Sequence, residues 1–158
     1  MTGRGTPATL LLAREAVPHR VLTYAVPADV DSYGEAAAAA LGVEPERMLK
    51  TLLASVDGRL ACAVVPVAGS LDLKAFAAAL GGKRAVMAEP AAAERSSGYV
   101  VGGISPLGQR TPLPTAVDET AGLFDAVVVS GGRRGLSVEL APAALVRLTC
   151  AVVADIAR

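Results

Sequence analysis

The sequence predicts an α+β fold in which residues 1–158 form one domain, with a mixed, largely antiparallel, barrel-like sheet flanked by helices. Three observations favour this fold. Short apolar runs typical of strands outnumber the strand–helix–strand units that would build a parallel sheet. Pairs of apolar runs are joined by glycine-containing turns, as in antiparallel hairpins. A length of 158 residues fits one domain with a sizeable core.

The first half of the chain predicts helices around a short strand and one hairpin. Thr6 is placed to cap the first helix, with Pro7 at its first position. The elements expected are a helix from Pro7 that ends at Pro18, a strand 19–26, a helix opened by the capping box Ser32-Tyr33-Gly34-Glu35 and stopped by Gly42, a short helix 44–48, and a hairpin of 50–56 and 59–67 joined by Asp57-Gly58.

The second half predicts alternating short helices and strands, with two glycine-rich turns. The elements expected are a helix from residue 71 that Gly81-Gly82 ends, a strand 83–87, a helix from Pro90 to Arg95, an apolar strand-like run 99–101 before Gly102-Gly103, a loop 109–114, a strand 115–118, a turn 119–122, a strand 126–129, a cationic turn 130–135, a strand 136–140, a helix 141–149, and a last strand or helix end 151–156.

The composition limits the classes of function. No apolar run approaches the ~18 residues of a membrane span, and no signal-peptide core precedes Arg14 and Glu15, so we expect a cytoplasmic protein without membrane partners. The formal net charge of zero argues against nucleic-acid binding by bulk charge alone, although a local basic patch stays open. Cys62 and Cys150 lie in apolar runs, which predicts buried, unpaired thiols.

The sequence also lacks the motifs of common active sites. A single histidine, His19, which we expect at a surface or edge, and no close cysteine pair argue against a metal site. Neither a dinucleotide fingerprint, nor a P-loop, nor a nucleophile elbow is present, so we expect no cofactor. An enzyme built from this sequence would use backbone amides, hydroxyls and a cation, a set that suits binding an acyl or phosphate group and stabilising an oxyanion.

Two local features admit both a structural and a functional interpretation. The segment Gly102-Gly103-Ile104-Ser105-Pro106 is either a tight turn or a rigid loop whose amides grip a ligand oxygen. Lys50, at the mouth of the hairpin, is either a surface lysine with a buried stem or a cation that faces a pocket. Local signals alone favour the structural interpretation of each.

Three stretches together resemble a known family. Residues 49–53 (LKTLL), 97–109 (SGYVVGGISPLGQ) and 129–142 (VSGGRRGLSVELAP) are similar to the YbaK/EbsC proteins, with further likeness at Thr6-Pro7-Ala8, Thr23-Tyr24 and residues 154–156. These proteins are freestanding Cys-tRNA(Pro) deacylases related to the editing domain of bacterial prolyl-tRNA synthetases. The likeness runs nearly end to end, and its motifs are specific in this order and spacing.

The resemblance implies a fold, an activity and a set of site residues. The activity would be removal of cysteine from mischarged Cys-tRNA(Pro), with aminoacyl-tRNA as partner and prolyl-tRNA synthetase as a further candidate partner. The substrate's own thiol would attack its ester carbon, so no protein nucleophile is required. The implied catalytic residues are Lys50, Gly102 and Gly103, and the implied substrate-binding residues are Tyr24, Tyr33, Thr51, Ile104, Ser105, Pro106, Ser130, Gly131 and Gly132.

The chain departs from the family pattern at three positions. Tyr33 stands where relatives often have phenylalanine, Ser137 where some have aspartate, and Arg133 where lysine is common. A role assigned to that aspartate therefore does not transfer. Two alternatives remain: a deacylase for Ala-tRNA(Pro) or another mischarged tRNA, and a non-catalytic module that binds tRNA or a nucleotide.

Overall fold

The computed structural model describes residues 5–25 and 33–158. The described helices are α1 (Pro7–Arg14), α2 (Tyr33–Leu41), α3 (Leu73–Ala79), α4 (Pro90–Ser97) and α5 (Pro142–Thr149), with a 3₁₀ helix at Glu119–Leu123. The described strands are β1 (His19–Thr23), β2 (Leu49–Val56), β3 (Arg59–Pro66), β4 (Ala85–Met87), β5 (Thr115–Asp118), β6 (Val127–Arg133), β7 (Leu136–Leu140) and β8 (Val152–Ala154). Within these residues, no helix is long and apolar enough to span a membrane.

The strands form two open sheets. An antiparallel three-stranded sheet has the order β1-β7-β6, and a five-stranded sheet has the order β4-β2-β3-β5-β8. The second sheet is mixed, because β5 pairs in parallel with both β3 and β8 while β2 pairs antiparallel with β3 and β4. The sheets meet where Met48 bridges Val128 in β6. The predicted mixed α+β fold is confirmed, but the sheets do not close into a barrel.

Short-range signals account for the central hairpin and the helix starts. Asp57 and Gly58 both have positive φ, 49° and 87°, as the two central residues of a type I′ turn require. The side chain of Thr6 accepts a hydrogen bond from the Thr9 amide at the start of α1. Asp72 does the same for Ala75 at the start of α3. These local interactions fix where the elements begin.

The core has a layer on each face of the five-stranded sheet because side chains alternate along a strand. One layer lies between the two sheets and contains Leu53 and Val64 with Val129 of the smaller sheet. The other contains Ala54 and Ala63 of the same strands, packed against α3, whose Phe76 is fully buried. A third cluster packs α2 against the junction of the sheets.

The structure corrects several predicted elements. Residues 44–48 form a hydrogen-bonded turn rather than a helix, because Met48 leaves to bridge the other sheet. Residues 99–101 are not a strand, since the Tyr99 amide bonds the Ser97 hydroxyl and the Val101 amide bonds Glu94. The predicted cationic turn 130–135 is shorter than expected, because β6 continues through a bulge to Arg133.

Smaller differences concern element ends and one thiol. The first helix ends at Arg14, before Pro18, and residues 119–123 form a 3₁₀ turn. Cys150 is exposed, contrary to prediction, because it caps the C-terminus of α5, whereas Cys62 is buried as expected. His19 begins the edge strand β1, where its Nδ1 lies 2.7 Å from the Val17 carbonyl oxygen. The first strand ends at Thr23, short of the predicted end at Val26, because its pairing partner β7 begins at Leu136, opposite Thr23. The predicted Ser32 cap lies outside the described residues.

Candidate functional site

A cavity of about 300 Å³ opens between the start of β2, α2 and the loop that carries Gly102. Backbone and side chains from both sheets reach it, so the site depends on the junction between them. The lining residues are Tyr24, Tyr33, Gly34, Ala37, Met48, Leu49, Lys50, Thr51, Leu52, Leu53, Val67, Met87, Ala88, Pro90, Ala93, Val101, Gly102, Ile104, Ser130 and Ser137. Most of this wall is apolar, with a few polar groups that can orient a ligand.

Lys50 is the only charged side chain among the described residues that line the cavity. It is half-buried in β2, opposite Val65 of β3, and no described carboxylate lies within 4.0 Å of it. A cation in an apolar wall, with no counter-ion among the described residues, favours a ligand with negative charge or with an oxygen that gains charge during a reaction. The interpretation of Lys50 as a pocket cation therefore fits the geometry better than that of a surface lysine.

The next residue, Thr51, presents a hydroxyl without a partner. Its Oγ1 is buried and makes no hydrogen bond to any described residue. A buried polar atom of this kind costs free energy unless a ligand or a water satisfies it. Thr51 also lines the cavity, and its hydroxyl lies covered behind the cavity wall, so a bound molecule reaches it only when the neighbouring groups shift.

Three hydroxyls form a second polar cluster in the cavity wall. The hydroxyl oxygens of Tyr24 and Tyr33 lie 3.1 Å apart, and Ser137 Oγ donates to the Tyr24 hydroxyl at 3.3 Å. The Gly135 amide donates to the Tyr33 hydroxyl at 2.6 Å. Burial, as the largest effect, raises the pKa of Tyr24 to about 12, so its phenol is neutral at physiological pH.

Gly102 and Gly103 lie where two loops pack too closely to leave room for a side chain. Gly102 has φ 92°, and a Cβ there would lie 2.4 Å from Nε of Arg134. A Cβ on Gly103 would lie 2.6 Å from Cα of Arg133. The β6–β7 turn therefore lies directly on this loop, and the guanidinium of Arg134 also covers the ring of Tyr33 at 4.8 Å. Side chains at either glycine would push the two loops apart.

The two glycines differ in what their amides can do. The Gly103 N–H donates to the Val100 carbonyl at 2.9 Å and is not free for a ligand. The Gly102 N–H has no hydrogen-bond acceptor among the described residues, and Gly102 borders the cavity. Ser130 holds this loop in place, since its Oγ donates to the Gly103 carbonyl at 3.1 Å.

The structure brings together seven of the sequence-predicted site residues and separates five. Those that line the cavity are Lys50, Thr51, Tyr24, Tyr33, Gly102, Ile104 and Ser130. Those that do not are Gly103, Ser105, Pro106, Gly131 and Gly132.

The five residues away from the cavity support the loops that line it. Ser105 is fully buried and accepts a hydrogen bond from the Leu107 amide. Pro106 borders a second, smaller cavity of about 190 Å³. Gly131 packs under Leu136, and Gly132, with φ 112°, packs against Thr6 and Tyr99.

Sequence reasoning did not identify Ser137 as part of the pocket, nor the apolar wall from β4 and α4. Ser137 is fully buried at the second position of β7, and its position next to Tyr24 follows from the β1–β7 pairing. Met87, Ala88 and Ala93 carry no chemical motif, so only tertiary structure could place them here. In the described part of the chain, no group of three His, Cys, Asp or Glu residues is arranged to hold a metal ion.

Comparison with known proteins decides the family. The family model for the aminoacyl-tRNA editing domain matches residues 28–148. The chain belongs to the aminoacyl-tRNA editing domain family.

Individual relatives agree with this assignment. The Enterococcus faecalis protein named "Putative Cys-tRNA(Pro)/Cys-tRNA(Cys) deacylase EbsC" is 36% identical over 157 residues, which is 98% of this chain and 94% of that protein. A crystal structure described as "a putative trans-editing enzyme for prolyl tRNA synthetase" has a TM-score of 0.81 and 27% identity, covering 96% of this chain and 95% of that one. A hypothetical protein of known structure has a TM-score of 0.85 and 27% identity, covering 97% and 100%.

Proposed function

We propose that this protein is a trans-editing deacylase that removes cysteine from mischarged Cys-tRNA(Pro). The observation that carries the proposal is the chemistry of the cavity wall. Lys50, hydroxyls and the Gly102 amide are present, but the described lining residues include no cysteine, histidine or carboxylate. Such a wall can bind and polarise an ester. Its two serines, Ser130 and Ser137, donate to the Gly103 carbonyl and to the Tyr24 hydroxyl rather than to a base that would activate them. A nucleophile from the substrate fits such a wall.

The thiol of a cysteinyl ester supplies that nucleophile. Its sulfur attacks the ester carbon, a C–S bond forms in a cyclic thiolactone, and the C–O bond to the ribose breaks. The thiol proton ends on the ribose oxygen, so atoms and charge balance. Serine and alanine esters react poorly by this route, because a hydroxyl ionises far less readily than a thiol and a methyl group does not ionise at all.

The protein's share in this reaction is positioning and charge stabilisation. Lys50 and the Gly102 amide are the groups we assign to the carbonyl oxygen as it gains negative charge. Holding the thiol near the ester in a cavity of about 300 Å³ favours ring closure over other conformations. The buried Cys62 takes no part: it does not line the cavity, and burial raises the pKa of its thiol to about 12.

Binding of the tRNA must rely on local rather than net charge, because the formal net charge is zero. Arg133 and Arg134 lie on the loop that packs against the Gly102 side of the cavity. We assign them to the phosphates near the acceptor end. Weak tRNA binding of this kind suits an enzyme that acts beside prolyl-tRNA synthetase, which we propose as a partner.

The proposal treats residues 1–158 as one editing domain, supported by the 98% and 94% coverage of the EbsC match.

A deacylation panel tests the proposal. Wild-type enzyme is incubated with Cys-, Ala- and Ser-tRNA(Pro), and only the first should lose its amino acid. Lys50→Ala should lower kcat/KM about 100-fold, as expected for loss of a group that stabilises developing charge. The matched control is Lys74→Ala, an exposed lysine on α3 that does not line the cavity.

Three results would contradict parts of the proposal. Loss of alanine from Ala-tRNA(Pro) with Cys-tRNA(Pro) intact would assign a different substrate. Binding of tRNA without turnover of any aminoacyl-tRNA would indicate a non-catalytic module. Equal activity of the two lysine variants would remove Lys50 from the site.

A further inference from the structure

The Tyr24–Tyr33–Ser137 hydroxyl cluster contains one more proton than its internal hydrogen bonds can use. Each of the three hydroxyls carries one proton. Two hydrogen bonds connect them, one between the tyrosines and one from Ser137 to Tyr24. The Gly135 amide adds a fourth donor by pointing at the Tyr33 oxygen. Whichever tyrosine donates to the other, one phenolic proton lacks an acceptor among the described residues.

This surplus proton lies at the cavity wall, because all three residues line the cavity. A phenolic O–H without an acceptor in a mostly apolar wall is costly in the empty protein and becomes favourable when a ligand oxygen arrives. No described carboxylate lines the cavity to take the proton instead. The cluster therefore presents a hydrogen-bond donor to a ligand in the cavity that Lys50 also lines.

We propose that the Tyr24–Tyr33–Ser137 cluster is a hydrogen-bond donor site that selects an uncharged oxygen acceptor of the aminoacyl ester, with Ser137 as the positioning residue that keeps the phenolic proton free. The inference rests on the proposed function for the identity of the ligand. Ser137 acts by occupying one acceptor position of Tyr24 without offering a negative charge in return. Among the described residues the proton of Tyr24 or Tyr33 then has no acceptor, and the ligand supplies one.

Protonation and packing support this assignment. The raised pKa of Tyr24 means that the donor form is fully populated at neutral pH. The Gly135 amide and the stacked guanidinium of Arg134 fix the ring of Tyr33, so the surplus proton is held in a narrow range of directions. An aspartate at position 137 would accept the Tyr24 proton, and the Tyr33 proton would then bind the Tyr24 oxygen. No proton would remain for the ligand.

Tyrosine absorption gives a direct readout, because a phenol that begins to donate a hydrogen bond shifts its absorption band to the red. The chain has three tyrosines and no tryptophan. The third, Tyr99, is buried and already donates to the Leu107 carbonyl at 2.6 Å, away from the cavity. At the long-wavelength edge of the tyrosine band, beyond the absorption of the adenine in an adenosine ligand, a change on ligand binding therefore reports on Tyr24 and Tyr33.

The probe is 3′-amino-3′-deoxyadenosine carrying L-cysteine through an amide, a stable analogue of the aminoacyl end. Wild-type protein titrated to saturation should show a red shift. Tyr33→Phe should keep it, because the Tyr24 proton is then free. Ser137→Asp should lose it, with circular dichroism and a melting curve as fold controls. Should Ser137→Asp fail to fold, Tyr24→Phe/Tyr33→Phe, which conserves side-chain volume, should bind the analogue about 3- to 10-fold more weakly by calorimetry.

The outcomes separate this inference from the proposed function. The donor assignment is overturned if the analogue saturates the protein without a red shift or with a blue shift, or if it does not bind saturably. A red shift that persists in Ser137→Asp overturns it as well. If the enzyme still deacylates Cys-tRNA(Pro) in those cases, the proposed function stands. A red shift in a protein without deacylase activity supports the donor site and contradicts the proposed function.

Discussion

Replacing Gly102 by alanine should damage both stability and activity, and the structure allows the two effects to be separated. Gly102 has φ 92°, a conformation that costs an L-residue about 1–2 kcal/mol. The new Cβ would also lie 2.4 Å from Nε of Arg134, the far end of a flexible side chain. Arg134 would move aside and lose its contact with the Tyr33 ring, worth about 0.5–1 kcal/mol. The expected total loss is about 1.5–3 kcal/mol.

Gly81→Ala is the matched control. Gly81 has φ 79°, and a Cβ at this position would have no atom within 4 Å, so the substitution adds the same backbone strain without a clash. It lies at the end of α3, away from the cavity. We expect Gly81→Ala to lose only about 1–2 kcal/mol in urea denaturation and to keep full activity.

The activity of Gly102→Ala tests whether this amide serves the reaction. The alanine displaces the loop against the cavity, and loss of one donor to a developing oxyanion lowers kcat by about 100-fold. Steady-state deacylation of Cys-tRNA(Pro) measures this at a temperature where both variants are folded. The reasoning is refuted if both variants lose the same stability and Gly102→Ala keeps wild-type kcat.

Two further predictions concern buried polar groups. Thr51→Val removes a hydroxyl that has no described partner, so the free energy of unfolding should stay equal or rise by up to about 1 kcal/mol. The same substitution should lower kcat/KM about 3- to 10-fold. Loss of stability with unchanged kinetics would contradict the assigned role. Asp118 is buried, which alone would raise its pKa, but hydrogen bonds from Thr120, Ile156 and Ala157 outweigh burial and lower the pKa from 3.8. A lowered carboxyl pKa gives stability that is present above pH 3.8 and lost as pH falls through the folded-state pKa. Asp118→Asn should therefore be less stable than wild type by about 2 kcal/mol at pH 7, and urea denaturation should show the difference shrinking below pH 4; a gap independent of pH would refute the charge argument.

The sequence predicted well those features that short-range chemistry decides. The Asp57-Gly58 turn was correctly predicted because few residue pairs other than Asp-Gly adopt two positive φ angles easily. The Thr6 cap was predicted because a side-chain oxygen satisfies a free amide next to it. The strand-like run before Gly102 was wrong, since apolar residues there are held by side chains of α4 rather than by a sheet. Periodicity cannot distinguish these two outcomes.

By itself, the sequence determined the mixed α+β class, the family and the presence of Lys50 and Thr51 next to each other on one strand. Only the tertiary structure decided which groups face the ligand. Gly102 and Gly103 are identical in sequence terms, yet the Gly102 amide has no acceptor in the described part of the chain and the Gly103 amide is used within the loop. Ser137 joins Tyr24 because β1 and β7 pair in one register. The physical reason is that a site of amides and hydroxyls depends on which hydrogen bonds the fold has already formed, and distant parts of the chain set those bonds.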